Sequence, residues 1–127
     1  MEQPIKKKDL LEKVARKNNA SRKEVENSIM GVWENMIRSP DPVVRKFALA
    51  MEDHNTPPSP EKFIEYITAM ARLESMIPFI KAGYSEQEYE RLCETELASR
   101  LASKYEKTEL FKLSVEEFVK LREAGKI

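Results

Sequence analysis

Apolar positions recur at three- and four-residue spacing along most of the chain, the period of amphipathic helices. The clearest stretch is 10–37, LLEKVARKNNASRKEVENSIMGVWENMI. Leu10, Leu11, Val14 and Ala15 share one face of a first helix, and Val25, Ile29, Val32, Trp33, Met36 and Ile37 share one face of a second. Between them, Asn18-Asn19-Ala20-Ser21 has the length and composition of a helix-turn-helix connection, with Asn accepting the left-handed conformation that glycine often supplies. Ala15, Asn19 and Val25 stand where that motif places a small residue, a turn residue and a β-branched core residue.

Punctuation between the apolar stripes sets the remaining elements. The first helix is expected over 6–17. Ser21 followed three residues later by Glu24 reads as a capping box opening a helix that runs to about Arg38, where Ser39-Pro40-Asp41-Pro42 stops it. Pro42 then starts a helix to Asp53, and 54–59 forms a proline-stiffened loop. Ser59 caps a fourth helix carrying Phe63, Ile64, Ile67, Met70, Ala71 and Leu73, with a kink or break near Met76–Ile77 ahead of Pro78 and an end at Gly83. Ser85 with Glu88 is a second capping box, opening a helix over 86–105. A connector spans 107–113, and Ser114 with Glu117 reads as a third box before a last helix, 115–124, that ends at Gly125.

The fold expected is therefore all-α. It has an N-terminal helix-turn-helix unit of about four helices over 1–76 and a C-terminal helical extension over 77–127 that packs on that unit or mediates homodimerisation. Composition agrees: of 127 residues, 41% are hydrophobic and 35% charged, with three glycines and no Asn-Gly or Asp-Gly hairpin signal. No hydrophobic run approaches the 18 or so residues of a membrane span, and no signal peptide is evident, so a cytoplasmic protein with no membrane partner is expected.

Net charge is zero, so no global field draws the molecule to nucleic acid. The charge is unevenly spread, however. Residues 1–24 hold eight basic side chains (Lys6, Lys7, Lys8, Lys13, Arg16, Lys17, Arg22, Lys23) against four acidic ones, either a solvated helix face or a patch for phosphates. Catalytic chemistry finds no constellation. His54, the sole histidine, lies in a polar loop, and Cys93 is alone, which excludes an intrachain disulfide and a cysteine-rich metal site. The three glycines are scattered, so no phosphate-cradling loop is expected. The reading is a non-enzyme without catalytic residues, metal or cofactor.

The VARKNNAS turn, Val25-Glu26 followed by Ile29, and Pro58-Ser59-Pro60-Glu61-Lys62-Phe63-Ile64 together resemble the C-terminal DNA-binding effector domain of the master sporulation response regulator of Firmicutes. Residues 14–70 carry the match, within roughly 10–74, and the small stand-alone proteins built on that domain are more similar still. In those proteins an Asn-Pro-Asp-Pro-like break ends the long helix, where this chain has Ser39-Pro40-Asp41-Pro42. No receiver domain is expected within these 127 residues.

The resemblance implies that the second helix enters the major groove of double-stranded DNA. Its outward residues are Arg22, Lys23, Glu26, Asn27, Met30, Gly31 and Glu34. Glu26 keeps the family pattern, whereas Asn27, Met30 and Gly31 stand where the family tends to place basic side chains. Lys6, Lys7, Lys8, Arg16, Lys17, Arg22 and Lys23 are then candidates for the phosphate backbone and Asn27 for adenine, with Ser21, Glu26 and Met30 as further candidate DNA contacts. Met30 either lines the edge of the apolar stripe or, beside Gly31, makes a flat apolar spot for a protein contact. The expected function is a small DNA-binding protein of transcription-regulator type. The alternative is a protein-interaction module, an adaptor or inhibitor, that keeps the scaffold and has lost DNA readout.

Overall fold

The computed structural model describes Lys13, Arg16 and residues 21–127. Among the described residues it is all-α, with six helices: α1 Arg22–Ile37, α2 Pro42–Ala50, α3 Pro60–Lys81, α4 Glu86–Leu92, α5 Glu96–Ala102 and α6 Lys107–Glu123. No strand is present among them, only an isolated bridge between Asp53 and Thr56. The turn residues 18–20 and most of the helix expected over 6–17 lie outside the described residues. The chain divides into two compact units, Met1–Tyr66 and Ile67–Ile127, with the division falling inside α3.

In the first unit, local cap chemistry starts each helix. The Ser21 hydroxyl accepts from the Glu24 N–H at 3.1 Å, and the Asp41 carboxylate accepts from the Val43 N–H at 2.8 Å with Pro42 at the first helical position. Ser59 caps α3 by accepting from the Lys62 N–H at 3.2 Å. Arg45 donates to the Ser39 carbonyl at 2.6 Å and closes the turn between α1 and α2. α2 stops at Ala50, short of the expected Asp53, because a tight turn follows. Asp53 and Thr56 exchange backbone hydrogen bonds of 3.1 and 3.0 Å around His54 and Asn55, both with positive φ as a two-residue turn of this kind requires. Among the described residues, the core of this unit holds Val25 and Trp33 from α1, Phe47 and Ala48 from α2, Met51, and Phe63 and Tyr66 from α3. The Trp33 indole N–H donates to the Ala48 carbonyl at 3.1 Å, so the ring is a buried anchor.

In the second unit, α3 runs through Pro78 to Lys81 without a break, which removes one of the two alternatives, kink or break, expected near Met76–Ile77. Proline removes the one N–H that would bond the Glu74 carbonyl, but the Pro78 carbonyl still accepts from the Ala82 N–H at 3.2 Å. Gly83, at φ 94°, ends the helix, with Tyr84 N–H returning to the Phe79 carbonyl and Gly83 N–H to the Ile80 carbonyl, each at 3.0 Å. The Phe79 and Tyr84 rings meet edge to face at 5.7 Å, the apolar contact that accompanies this stop, and Tyr89 meets Phe79 the same way at 5.3 Å. Phe79, Tyr89 and Leu101 form a buried cluster, with Leu92, Leu97 and Cys93 packed against it.

Two further expectations are corrected here. The single helix over 86–105 is broken at 93–95, because the Thr95 hydroxyl and N–H both turn back onto the Leu92 carbonyl, at 2.6 and 3.0 Å. The connector over 107–113 is helical and Ser114 is no cap: it is fully buried within α6, its hydroxyl donating to the Leu110 carbonyl at 2.7 Å. The end of α6 is as expected, with Gly125 at φ 70°.

The box at Ser85 is complete: Ser85 Oγ accepts from the Glu88 N–H and Glu88 Oε1 accepts from the Ser85 N–H, both at 3.1 Å. The Ser85 backbone N–H first, and its side chain second, hold the Glu88 carboxyl below its ordinary value. A carboxyl with a depressed folded-state pKa contributes stability above its unfolded value and loses it as pH falls through the folded one. Urea unfolding followed down the acid range should therefore show wild type losing more stability than Glu88→Gln. Ser85→Ala should cost about 1 kcal/mol at neutral pH.

Candidate nucleic-acid interface

α1 is built so that one face is fixed and the other is open. Val25 and Trp33 are buried, while Lys23, Asn27 and Glu34 are exposed and Met30 and Gly31 are half-buried. Positions 23, 27, 30 and 34 follow the 4-3-4 spacing of a single helical stripe. That stripe carries one cation and one anion, with an amide and a thioether between them. Met30 is neither in the core nor freely projecting, so it can take part in either of its two expected roles.

Arg22 and Glu26, beside the stripe, are engaged within the protein. Arg22 Nε donates to Glu26 Oε1 at 2.9 Å, one helical turn along, and Arg22 Nη2 donates to Glu61 Oε1 at 2.9 Å, from the first turn of α3. The hydrogen bond from Glu26, followed by smaller contributions from Glu61, raises the guanidinium above its ordinary value, so it is charged at every working pH. Glu61 is the residue at this site that the sequence does not mark; it enters there only within the 58–64 run that carries the resemblance. Ser21 is exposed and spent as the cap of α1. Arg16 is helical and exposed, as is Lys13, while Lys6, Lys7, Lys8 and Lys17 lie outside the described residues.

Gly31 follows Met30 in α1, and a Cβ built there meets nothing within 4 Å beyond its own chain neighbours and the helix backbone. Glycine inside a helix costs roughly 0.5–1 kcal/mol relative to alanine. Gly31→Ala should therefore raise the unfolding free energy measured in urea by about 0.5–1 kcal/mol without altering the surface charge.

A concavity of about 250 Å³ lies in the second unit, with Met76, Ile77, Ile80 and Leu113 as its apolar lining and Lys81, Lys120, Glu116 and Glu117 as its charged part. Two charges of each sign give it no net electrostatic preference. Among the described residues, no group of three His, Cys, Asp or Glu side chains is placed to hold a metal ion, and no helix is long and apolar enough to cross a membrane.

No protein-family model matches the chain, and no curated protein or solved structure compared with it does so. The protein is all-α among its described residues and has two compact units, with a capped helix exposing one face in the first.

Proposed function

We propose that the chain is a small DNA-binding protein of transcription-regulator type whose α1 lies in the major groove. The observation that carries this is the orientation of α1: Val25 and Trp33 turn inward, leaving Lys23 and Asn27 together on its exposed side near the capped N-terminus. The resemblance of residues 14–70 to the sporulation-regulator effector domain and the basic excess over 1–24 support the same reading. Lys23 would neutralise a phosphate, Asn27 can pair with both N6 and N7 of adenine, and Met30 suits a thymine methyl group.

The test is titration of a mixed-sequence duplex of about 20 base pairs at several salt concentrations. Expected are micromolar or weaker non-specific binding at physiological salt, a linear fall of log K with log salt, and weaker binding by Lys23→Ala. Absence of binding even at low salt overturns the reading. In its place would stand a protein-interaction module on the same scaffold. The near-neutral outward stripe of α1 and the half-exposed Val32 (51%) on that helix favour this second reading.

A further inference from the structure

We infer that Glu61 is an electrostatic latch on Arg22, withholding the guanidinium from the DNA backbone until a phosphate displaces the carboxylate; this rests on the DNA reading above. Arg22 is the first residue of α1, the end at which the Ser21-capped N-terminus and Lys23 would meet DNA. A guanidinium presents a planar fork that suits carboxylate and phosphate alike, so the two anions are direct competitors for it. In this structure the Nε donor is taken by Glu26 and an Nη2 donor by Glu61, each at 2.9 Å.

The two carboxylates are not equivalent. Glu26 is on α1 itself and travels with Arg22 wherever the helix docks. Glu61 comes from α3, 39 residues along the chain, and its contact must open for the guanidinium to turn outward. The cluster is within reach of solvent: the Arg22 and Glu61 side chains are 30% and 29% exposed. Ion pairs so placed are weak and screened by salt, hence exchangeable. While closed, the latch keeps the Arg22 charge neutralised by carboxylates of the protein itself. Binding is then weaker than the cations of the N-terminal segment imply, and its salt dependence lacks the contribution of Arg22.

The full chain is titrated with the same mixed-sequence duplex in wild type, Glu61→Gln, Glu61→Asp and Glu94→Gln, each also in an Arg22→Gln background. Glu94→Gln makes the same change of net charge on the second unit. Glu61→Asp keeps the charge and shortens the arm. Expected is a gain of about three- to tenfold at low salt for Glu61→Gln, with a log–log slope steeper by about 0.9, one added phosphate contact. Glu61→Asp should share part of the gain and Glu94→Gln little of it, and Arg22→Gln should abolish it. Equal gains for Glu61→Gln and Glu94→Gln, or a gain that persists without Arg22, overturn the latch while leaving DNA binding standing. Absence of binding by wild type and every variant overturns the DNA reading and the latch with it.

Discussion

Trp33→Ala should destabilise the protein by about 3–5 kcal/mol, the range for removing a large aromatic side chain from a core. The ring is 7% exposed, and its N–H is bonded to the Ala48 carbonyl, so the substitution removes packing and a buried hydrogen bond together. Ala48 is itself fully buried, and its carbonyl keeps the Met51 N–H at 3.2 Å, so no orphan acceptor is left behind. The loss is therefore chiefly of buried area, and Trp33→Phe, which keeps most of that area, should cost well under half as much. Typical domains are stable by only about 5–15 kcal/mol, so the alanine variant consumes a large share of the margin. Urea unfolding followed by far-ultraviolet circular dichroism checks both variants. A Trp33→Ala loss below about 1 kcal/mol would remove the indole from its assigned role as anchor between α1 and α2.

The helix starts at Ser21, Asp41, Ser59 and Ser85 were legible because cap chemistry is local. A short polar side chain needs only the N–H two or three residues ahead. The stops at Gly83 and Gly125 were legible for the same reason, since a positive φ selects glycine from sequence alone. Ser114 failed because its pattern is ambiguous. A serine followed three residues on by glutamate can bond forward as a cap or back to the carbonyl four residues earlier. The choice was made by burial of Val115 and Phe118 beside it, and burial of that kind is a tertiary fact. At Pro78 only the break failed, in the opposite sense: the missing N–H costs one bond of α3, and the buried Ile77, Pro78 and Phe79 hold the helix together across the gap.

The candidate site divides along the same line. The outward stripe of α1 follows from the 3.6-residue period and the inward Val25 and Trp33, so Lys23, Asn27 and Glu34 could be assigned to one face without coordinates. The state of Arg22 could not. Nothing in the sequence near position 61 marks that carboxylate as a partner for a side chain 39 residues earlier, and the pairing alters what Arg22 offers a ligand. Composition counts Arg22 as one of eight cations in the N-terminal segment. Geometry sets it between two anions.

Phe118→Ala should likewise cost about 3–5 kcal/mol, and the contrast with its neighbour Ser114 gives the measurement its meaning. Both side chains have no exposure, and Val115 between them has none either, so this face of α6 is sealed from water. Removing the Phe118 ring leaves a void that neighbours in regular helix can fill only partly, and the cost rises with the volume that stays empty. Ser114→Ala removes a single hydroxyl whose acceptor, the Leu110 carbonyl, lies within the helical ladder of α6. No buried donor is orphaned by that change, so its cost should stay near 1 kcal/mol or below. Urea midpoints for the two variants should thus differ severalfold in their shift while the slopes of the transitions stay alike, since neither substitution alters much of the surface exposed on unfolding. Similar small losses from both would place Phe118 at a yielding edge of the second unit instead of its core.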